Sequence, residues 1–386
     1  EKAGELRYDE IAREVVENLG LDFKDISANK ELLPESSLGA EVLKVFTDLV
    51  EYRIYEDLRR GWRVVQPNLE QCGLLTVDYL GLDELCADEE AWRELKPFAD
   101  ASPEKRLEVL KAFLDQFRRQ LAIHASCLQE TNQALLKKRV QERVDARWGF
   151  EEQERLRQAS RFILPGQENK LNNSFSLSGR SLLHRYLKRV LPPFEAEYEE
   201  NMEKLVDILC ARGLLRRDSE RGVSFVQLES AALVWKKGDG TPVGEPIYQR
   251  RSEDPIYLRA EKEANRYFRE FYMCSSALLR EVEGREHTAQ IDYERREERE
   301  RRFRDGELKC LFCSPTMELG IDIADLQLVH MRNVPPTPAN YAQRSGRAGR
   351  KGDPALVLAY CLAGSGHDQY FFRHRREMVS GAVQPP

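Results

Sequence analysis

The sequence predicts a chain of two characters. A mainly α-helical region covers residues 1–160, and an α/β region with a parallel sheet covers 259–386. A helix-and-hairpin module of winged-helix-like layout, with its linker, joins them over 161–258. Three observations predict this. Apolar residues in the first region recur at helical spacing. A helical pattern closing at Gly213 is followed by two strand patterns around a polar turn. Near the end, strand patterns alternate with helical ones, which marks a parallel sheet whose ligands sit at the carboxyl ends of the strands.

Taken in order, Tyr8 to Leu19 carries Ile11, Val15 and Leu19 four apart, one buried helical stripe. Val42, Phe46, Leu49 and Val50 repeat the pattern. So do Leu107, Leu110, Phe113, Leu114, Phe117 and Leu121, in a helix begun by Ser102 as N-cap and Pro103 at N1. Short strands are expected at Trp62–Pro67 and Gly73–Tyr79, punctuated by Pro67, Asn68 and Gly73. Arg59, Arg60 and Arg63 beside Trp62 could contact a nucleic-acid strand, but they read better as a strand end packed by Trp and flanked by solvated arginines.

Residues 160–190 are polar and read as a linker or loop. After Pro192-Pro193, Met202, Leu205, Val206, Ile208 and Leu209 form the apolar side of a helix that runs to Gly213, a C-cap. Leu214–Arg217 and Val223–Leu228 then flank the turn Asp218–Gly222. Modules of this layout lay helix or wing on duplex DNA, or serve as packing units between domains.

Composition sets limits. The 386 residues have room for two or three domains, and 41% hydrophobic with 33% charged residues allows real cores under a charged surface. A net charge of -6 argues against a polyanion binder that is basic all over, but permits a local cationic groove. No apolar run approaches the ~18 residues of a transmembrane helix, so no membrane partner is expected. The first residues lack a signal peptide's apolar core and a Met, so an excised piece is expected. Eight scattered cysteines fit a reducing cytoplasm and no disulfide framework.

The C-terminal region carries the chemistry. Arg295–Arg304 is a charge-dense helix with Glu297/Arg301, Glu298/Arg302 and Glu300/Arg304 at i,i+4 spacing, ended by the turn Phe303–Gly306. The strand Leu308–Cys313, the loop Ser314–Ile323 and the strand Leu326–Met331 follow. The loop places Thr316, Gly320 and Asp322 after a buried strand: a hydroxyl, a backbone open to close approach, and a carboxylate. A second loop, Gln343–Arg350, sets Arg347 and Arg350 three apart on one side of a helical turn. Paired guanidiniums suit a γ-phosphate whose charge spreads over its oxygens during transfer.

On these residues the chain resembles superfamily 2 helicases. SPTMELGIDI is similar to their motif V and QRSGRAGR to motif VI, both in the second RecA-like domain, with Glu286–Gln290 upstream. RNVPPTPANYAQRSGRAGR, with SGHDQYFFRHRREMVSGAV behind it, is similar to very large bacterial DEAD/DEAH-box helicases of phage-defence systems such as DISARM. The motifs cover about a quarter of the chain, roughly residues 285–380.

The resemblance implies an ATP-dependent motor acting on DNA, with ATP and Mg²⁺ held mainly by a first RecA-like domain and a defence-system protein as a further partner. It implies that Arg350 is the arginine finger and Arg347 a second phosphate contact. Gln343 would couple nucleotide state to domain closure, and Gly320 and Asp322 would lie beside the nucleotide. Thr316, Ser314, His287 and Thr288 would face the backbone of the tracked strand, which needs no sequence preference.

No Gly-x-x-x-x-Gly-Lys-Ser/Thr run and no DEAD- or DEAH-like box occurs. The first RecA-like domain is therefore expected outside this chain, residues 1 to ~280 as an insertion in the second, and the fragment as inactive alone. The alternative reading makes the insertion a DNA- or protein-binding module of a duplex translocase that does not unwind.

Weaker candidates are read structurally. Cys310 and Cys313 form a lone CxxC whose strand positions face opposite ways, a poor zinc site. His367-Asp368 resembles a catalytic pair, but Asp368 reads better as the N-cap of a helix from Gln369 to Val379. His124 and His184 are expected to be structural, and Trp148 and Trp235 to lie in the core.

Overall fold

The computed structural model describes residues 4–59, 67–151, 154–168, 171–248, 264–274, 282–314, 326–349 and 354–381. The chain forms two compact units, Glu1–Cys274 and Ser275–Pro386. The strand expected at Trp62–Pro67 falls almost wholly outside the described residues.

The first unit opens with β1 (Glu5–Arg7), α1 (Ile11–Asn18), α2 (Phe23–Ile26) and α3 (Ser37–Asp57). The Ser36 hydroxyl accepts the Gly39 N–H at 3.0 Å and so caps α3. Next come β2 (Leu75–Tyr79), α4 (Leu82–Ala87), α5 (Lys96–Ala99) and α6 (Pro103–Arg119). Ser102 caps α6 through the Lys105 N–H, with Pro103 at the first helical position as its spacing predicts.

After α6 follow β3 (Ile123–His124), α7 (Glu130–Arg143), β4 (Arg161–Ile163), β5 (Ser174–Ser176), α8 (Leu182–Val190) and α9 (Tyr198–Ala211). The unit continues with β6 (Leu215–Glu220), β7 (Val223–Glu229), β8 (Leu233–Lys237) and α10 (Arg266–Met273). β8 sits between β1 and β2, antiparallel to both. β7 pairs antiparallel with β6 and β4 and parallel with β3, while β5 adds parallel to β4.

Two expectations are corrected here. The polar stretch 160–190 is not a linker: it supplies β4, β5 and α8, because Phe162, Ile163 and Leu164 are buried. The hairpin turn is tighter than expected, since β6 runs through Glu220 and only Arg221 (φ 52°) and Gly222 (φ 77°) reverse the chain. Two consecutive positive φ values match the right-handed twist of the flanking strands.

Helix ends in this unit follow local chemistry, with one exception. Gly213, at φ 69°, closes α9: its N–H reaches Cys210 O and the Leu214 N–H reaches Leu209 O. α6 ends in the same hydrogen-bond pattern, Leu121 N–H to Arg118 O and Ala122 N–H to Phe117 O, but with Leu121 in the left-handed position at φ 54°. That conformation costs a β-carbon residue about 1–2 kcal/mol. Full burial of the Leu121 side chain offsets it, because burying a leucine contributes a comparable ~1.5–3 kcal/mol.

One hydrophobic core runs from Ile11 to Trp235 through α3, α6, α9 and the β-strands. The Phe117 and Phe162 rings lie 4.2 Å apart, so α6 and β4 share it. Trp235 is buried edge-on to Tyr55, and Trp148 is half-buried against Phe46. His124 lies 3.5 Å from Glu229, and His184 packs edge-on to Tyr198.

Within the core, Arg118 is fully buried. It makes two hydrogen bonds to Glu70 (2.7 and 2.9 Å) and one of 2.8 Å to Asp115, which also accepts from Tyr79. Buried charge persists only when paired and hydrogen-bonded in this way.

The second unit holds two β–α–β units. β9 (Gly284–His287), α11 (Tyr293–Arg304) and β10 (Cys310–Cys313) form the first, with Gly284 opposite Cys310 and His287 opposite Cys313 in parallel register. β11 (Leu328–Met331), α12 (Pro338–Ser345) and β12 (Leu356–Ala359) form the second, also parallel, with Leu328 opposite Leu356. α13 (Gly366–Arg373) and α14 (Arg375–Val379) complete the described residues. Parallel strands need a crossover, and here the helices supply it. Among the described residues, no helix is long and apolar enough to cross a membrane.

Candidate functional site

The carboxyl ends of β9 and β10 lie side by side, and there the second unit gathers three of the candidate residues. His287 ends β9, Thr288 follows it, and Ser314 follows β10, its N–H donating to His287 O at 3.4 Å. The His287 side chain is 0% exposed, with Nε2 2.8 Å from Glu300 Oε1 on α11. Its Nδ1, and the adjacent Thr288 Oγ1, are buried and have no hydrogen-bond partner among the described residues. Two neighbouring unsatisfied polar atoms are costly, and such groups concentrate where a ligand or moving part is to be met.

α11 is fastened to this strand by charge. The Arg299 side chain donates to Glu286 O at 2.6 Å, and Arg302 and Arg285 both bond Glu283 at 2.6 Å. Burial alone would raise the Glu283 pKa, but these two guanidiniums outweigh it and hold the carboxyl below its ordinary range. Glu300 and Arg302 thus find partners on and beside β9, beyond the i,i+4 pairs expected along the helix. The sequence carries no separate signal for Glu300, because a contact across 13 residues has no helical period.

The second loop lies after α12. Thr337 caps this helix by accepting the Asn340 N–H, and Pro338 holds its first position. Gln343 is exposed on its last turns, and Gly346 closes it with an N–H to Ala342 O. Arg347, half-buried, sits in the turn beyond, its N–H on Arg344 O. Gly349 is at φ 68° and donates to Leu326 O, and Ala348 bridges Leu326.

α12 thus ends at Ser345, and the left-handed Gly349 pairs with Leu326 just before β11. Arg350, Thr316, Gly320 and Asp322 lie outside the described residues.

Asp368 is not the N-cap of its helix. Ser365 is, accepting the Asp368 N–H at 3.2 Å, so α13 begins at Gly366 and a break at His374 separates it from α14. Asp368 is instead a clasp. Its carboxylate accepts the N–H groups of Leu362 (3.0 Å) and Val334 (3.4 Å) and the Ser365 hydroxyl (2.9 Å). The Leu362 N–H leads the groups that hold its pKa down at about 2. His367 Nδ1 lies 3.3 Å from the same carboxylate. The partners of Asp368 are backbone amides and a capping hydroxyl, which give it a structural role. Cys310 and Cys313 stand at the two ends of β10. The described residues contain no group of three or more His, Cys, Asp or Glu that could hold a metal ion.

Residues 256–352 match the family described as the helicase conserved C-terminal domain. Curated relatives agree. The chain is 37% identical to the Druantia protein DruE of Escherichia coli over 145 residues, 34% of this chain and 8% of that protein. It is 40% identical to the uncharacterized ATP-dependent helicase MJ1574 of Methanocaldococcus jannaschii over 84 residues, 22% of this chain and 12% of that protein. It is 26% identical to the DNA 3'-5' translocase XPB2 of Sulfurisphaera tokodaii over 196 residues, 47% of this chain and 42% of that protein. The matched segments thus span about a tenth of the length of the first two relatives.

Proposed function

We propose that this chain, which carries a superfamily 2 helicase C-terminal domain at residues 256–352, is the C-terminal motor portion of an ATP-dependent DNA helicase or translocase. In this reading residues 259–386 form the second RecA-like domain. Residues 1–160 and the winged-helix-like 161–258 are its insertion, the latter supported by the α8–α9–β6–β7 order.

The observation that carries the reading is the meeting of His287, Thr288 and Ser314 at the carboxyl ends of two parallel strands inside the helicase-matched segment. Ligands of parallel α/β sheets bind at that end. Thr288, Ser314 and Thr316 would hold phosphates of the tracked strand, and His287, tied to Glu300, would shape the strand end that presents them.

Exposed Gln343 on the last turns of α12 and half-buried Arg347 in the turn beyond fit a polyanionic phosphate group. ATP with Mg²⁺ supplies the hydrolysable phosphoanhydride when bound. Arg347 and Arg350 would neutralise phosphate charge, Gln343 would link that contact to closure on a first RecA-like domain, and Gly320 and Asp322 would border the nucleotide. Large apolar side chains left exposed on the strands, Phe312, Leu328 and Leu356 among them, suit cover by further protein. The resemblance to large phage-defence helicases supports a cytoplasmic defence role with a partner protein.

The test is ATP hydrolysis by the complete protein with and without DNA. Stimulation by DNA is the expected result, and hydrolysis indifferent to DNA would contradict it. Likeness to a translocase favours a second reading, movement on duplex without unwinding, which a strand-separation assay distinguishes.

A further inference from the structure

The first unit contains a cleft of about 290 Å³ that the motor chemistry does not use. Arg59, at the end of α3, and Arg155 and Arg157, on the segment before β4, line it together with Leu121, Asn173 and Phe175. None of the three guanidiniums makes a hydrogen bond or ion pair to a carboxylate among the described residues. The nearby carboxylates are taken: Arg53 bonds both Glu56 and Glu154. Elsewhere in this unit arginines are paired, as Arg106 with Glu89, Arg118 with Glu70 and Arg217 with Glu203. Three like charges brought to one concave surface raise the local potential and call for an anion, because the Glu56 carboxylate, which partly offsets the charge of Arg59, is already bonded to Arg53. Burial and the charge of Arg157 lower the Arg59 pKa, in keeping with that crowding.

The wall is built before any ligand arrives. Asn173, at φ 52°, donates to Gln158 O and Ala159 O and accepts from the Ser160 hydroxyl. Gln227 in turn donates to Ser160 O at 2.7 Å, and the Ser160 N–H donates to Leu121 O. At the edge stands Phe175, 37% exposed, its ring 5.4 Å from Phe162 beneath it. Cations that track a backbone beside an exposed aromatic surface are the two elements of sequence-tolerant strand binding.

We propose that this cleft binds single-stranded nucleic acid, with Arg59, Arg155 and Arg157 holding a phosphodiester and Phe175 stacking on an adjacent base. The proposal rests on the reading of the chain as part of a nucleic-acid motor. It adds a second strand-binding site, on the first unit, to the one at the ends of β9 and β10.

The test titrates the whole 386-residue chain against a fluorescein-labelled oligothymidylate and follows anisotropy over a range of salt. An Arg155→Ala/Arg157→Ala double variant is expected to weaken binding about tenfold or more. It should also reduce the slope of log affinity on log salt by about 0.7, the value for the one single-strand phosphate that these arginines hold. Phe175→Ala should weaken binding about fivefold or more without changing that slope, as expected when base stacking is removed. Arg155 and Arg157 are exposed and Phe175 partly so, and circular dichroism checks that each variant keeps the wild-type fold.

Unchanged affinity in both variants overturns the proposal. So does displacement of the oligonucleotide by equimolar thymidine monophosphate, which makes the cleft a free-nucleotide site. Equal displacement by polyglutamate, which makes it a protein-docking surface, overturns it too. The motor reading fails separately, in the ATP hydrolysis assay on the complete protein.

Discussion

Nε2 of His287 stands 2.8 Å from Oε1 of Glu300, joining the carboxyl end of β9 to the helix that crosses over to β10. The ring is enclosed, and this is its one hydrogen bond among the described residues. This contact joins the hydrogen bonds of Arg299, Arg302 and Arg285 in fastening α11 to the strand end that presents Thr288 and receives Ser314.

Replacing Glu300 by Ala leaves both ring nitrogens of His287 buried without partners, at a cost of about 1–3 kcal/mol. Amide exchange in the β9–β10 ladder should accelerate by about fivefold to a hundredfold, while Glu300→Gln, which keeps an acceptor, changes it less. Exchange equal to wild type in the Ala variant would show that the hydrogen bond contributes nothing.

Arg118 is the more severe case. Arg118→Ala strands Glu70 and Asp115 inside the core, and removal of one partner from a buried ion pair typically costs about 3–5 kcal/mol. Urea unfolding of the first unit, followed by tryptophan fluorescence, should show a midpoint well below wild type. A midpoint shift no larger than that of an exposed Arg93→Ala control would refute this.

Acid should loosen the second unit at Asp368. Its folded pKa of about 2 lies below the ordinary 3.8, so the carboxylate stabilises the fold fully above pH ~4, and that contribution is lost as pH falls toward ~2. Exchange at the Leu362 and Val334 amides, corrected for its intrinsic pH dependence, should therefore rise across that window in the wild type. Asp368→Asn should abolish the rise. A rise that persists in the variant would place the acid sensitivity elsewhere.

Local chemistry was legible and tertiary chemistry was not. Ser102-Pro103 and Gly213 read correctly because caps depend on a few neighbouring residues. Leu121 carries no such sign: it occupies a glycine's place because the core buries its side chain. β4 hides in a polar stretch, since only its Phe162–Leu164 centre is apolar. Ser365, three residues earlier, holds the cap position that the residue type of Asp368 suits equally. The helicase motifs were legible as strings, whereas the Glu300 partner of His287 and the gathering of Arg59 with Arg155 and Arg157 arise only from folding.

If this chain supplies half of an ATP site, as proposed, Arg350→Ala in the complete protein removes DNA-stimulated ATP hydrolysis. An arginine finger is worth about 10³–10⁵ in turnover, so stimulated hydrolysis should fall at least a thousandfold while the variant still binds DNA. Hydrolysis at the wild-type rate would remove Arg350 from the ATP site.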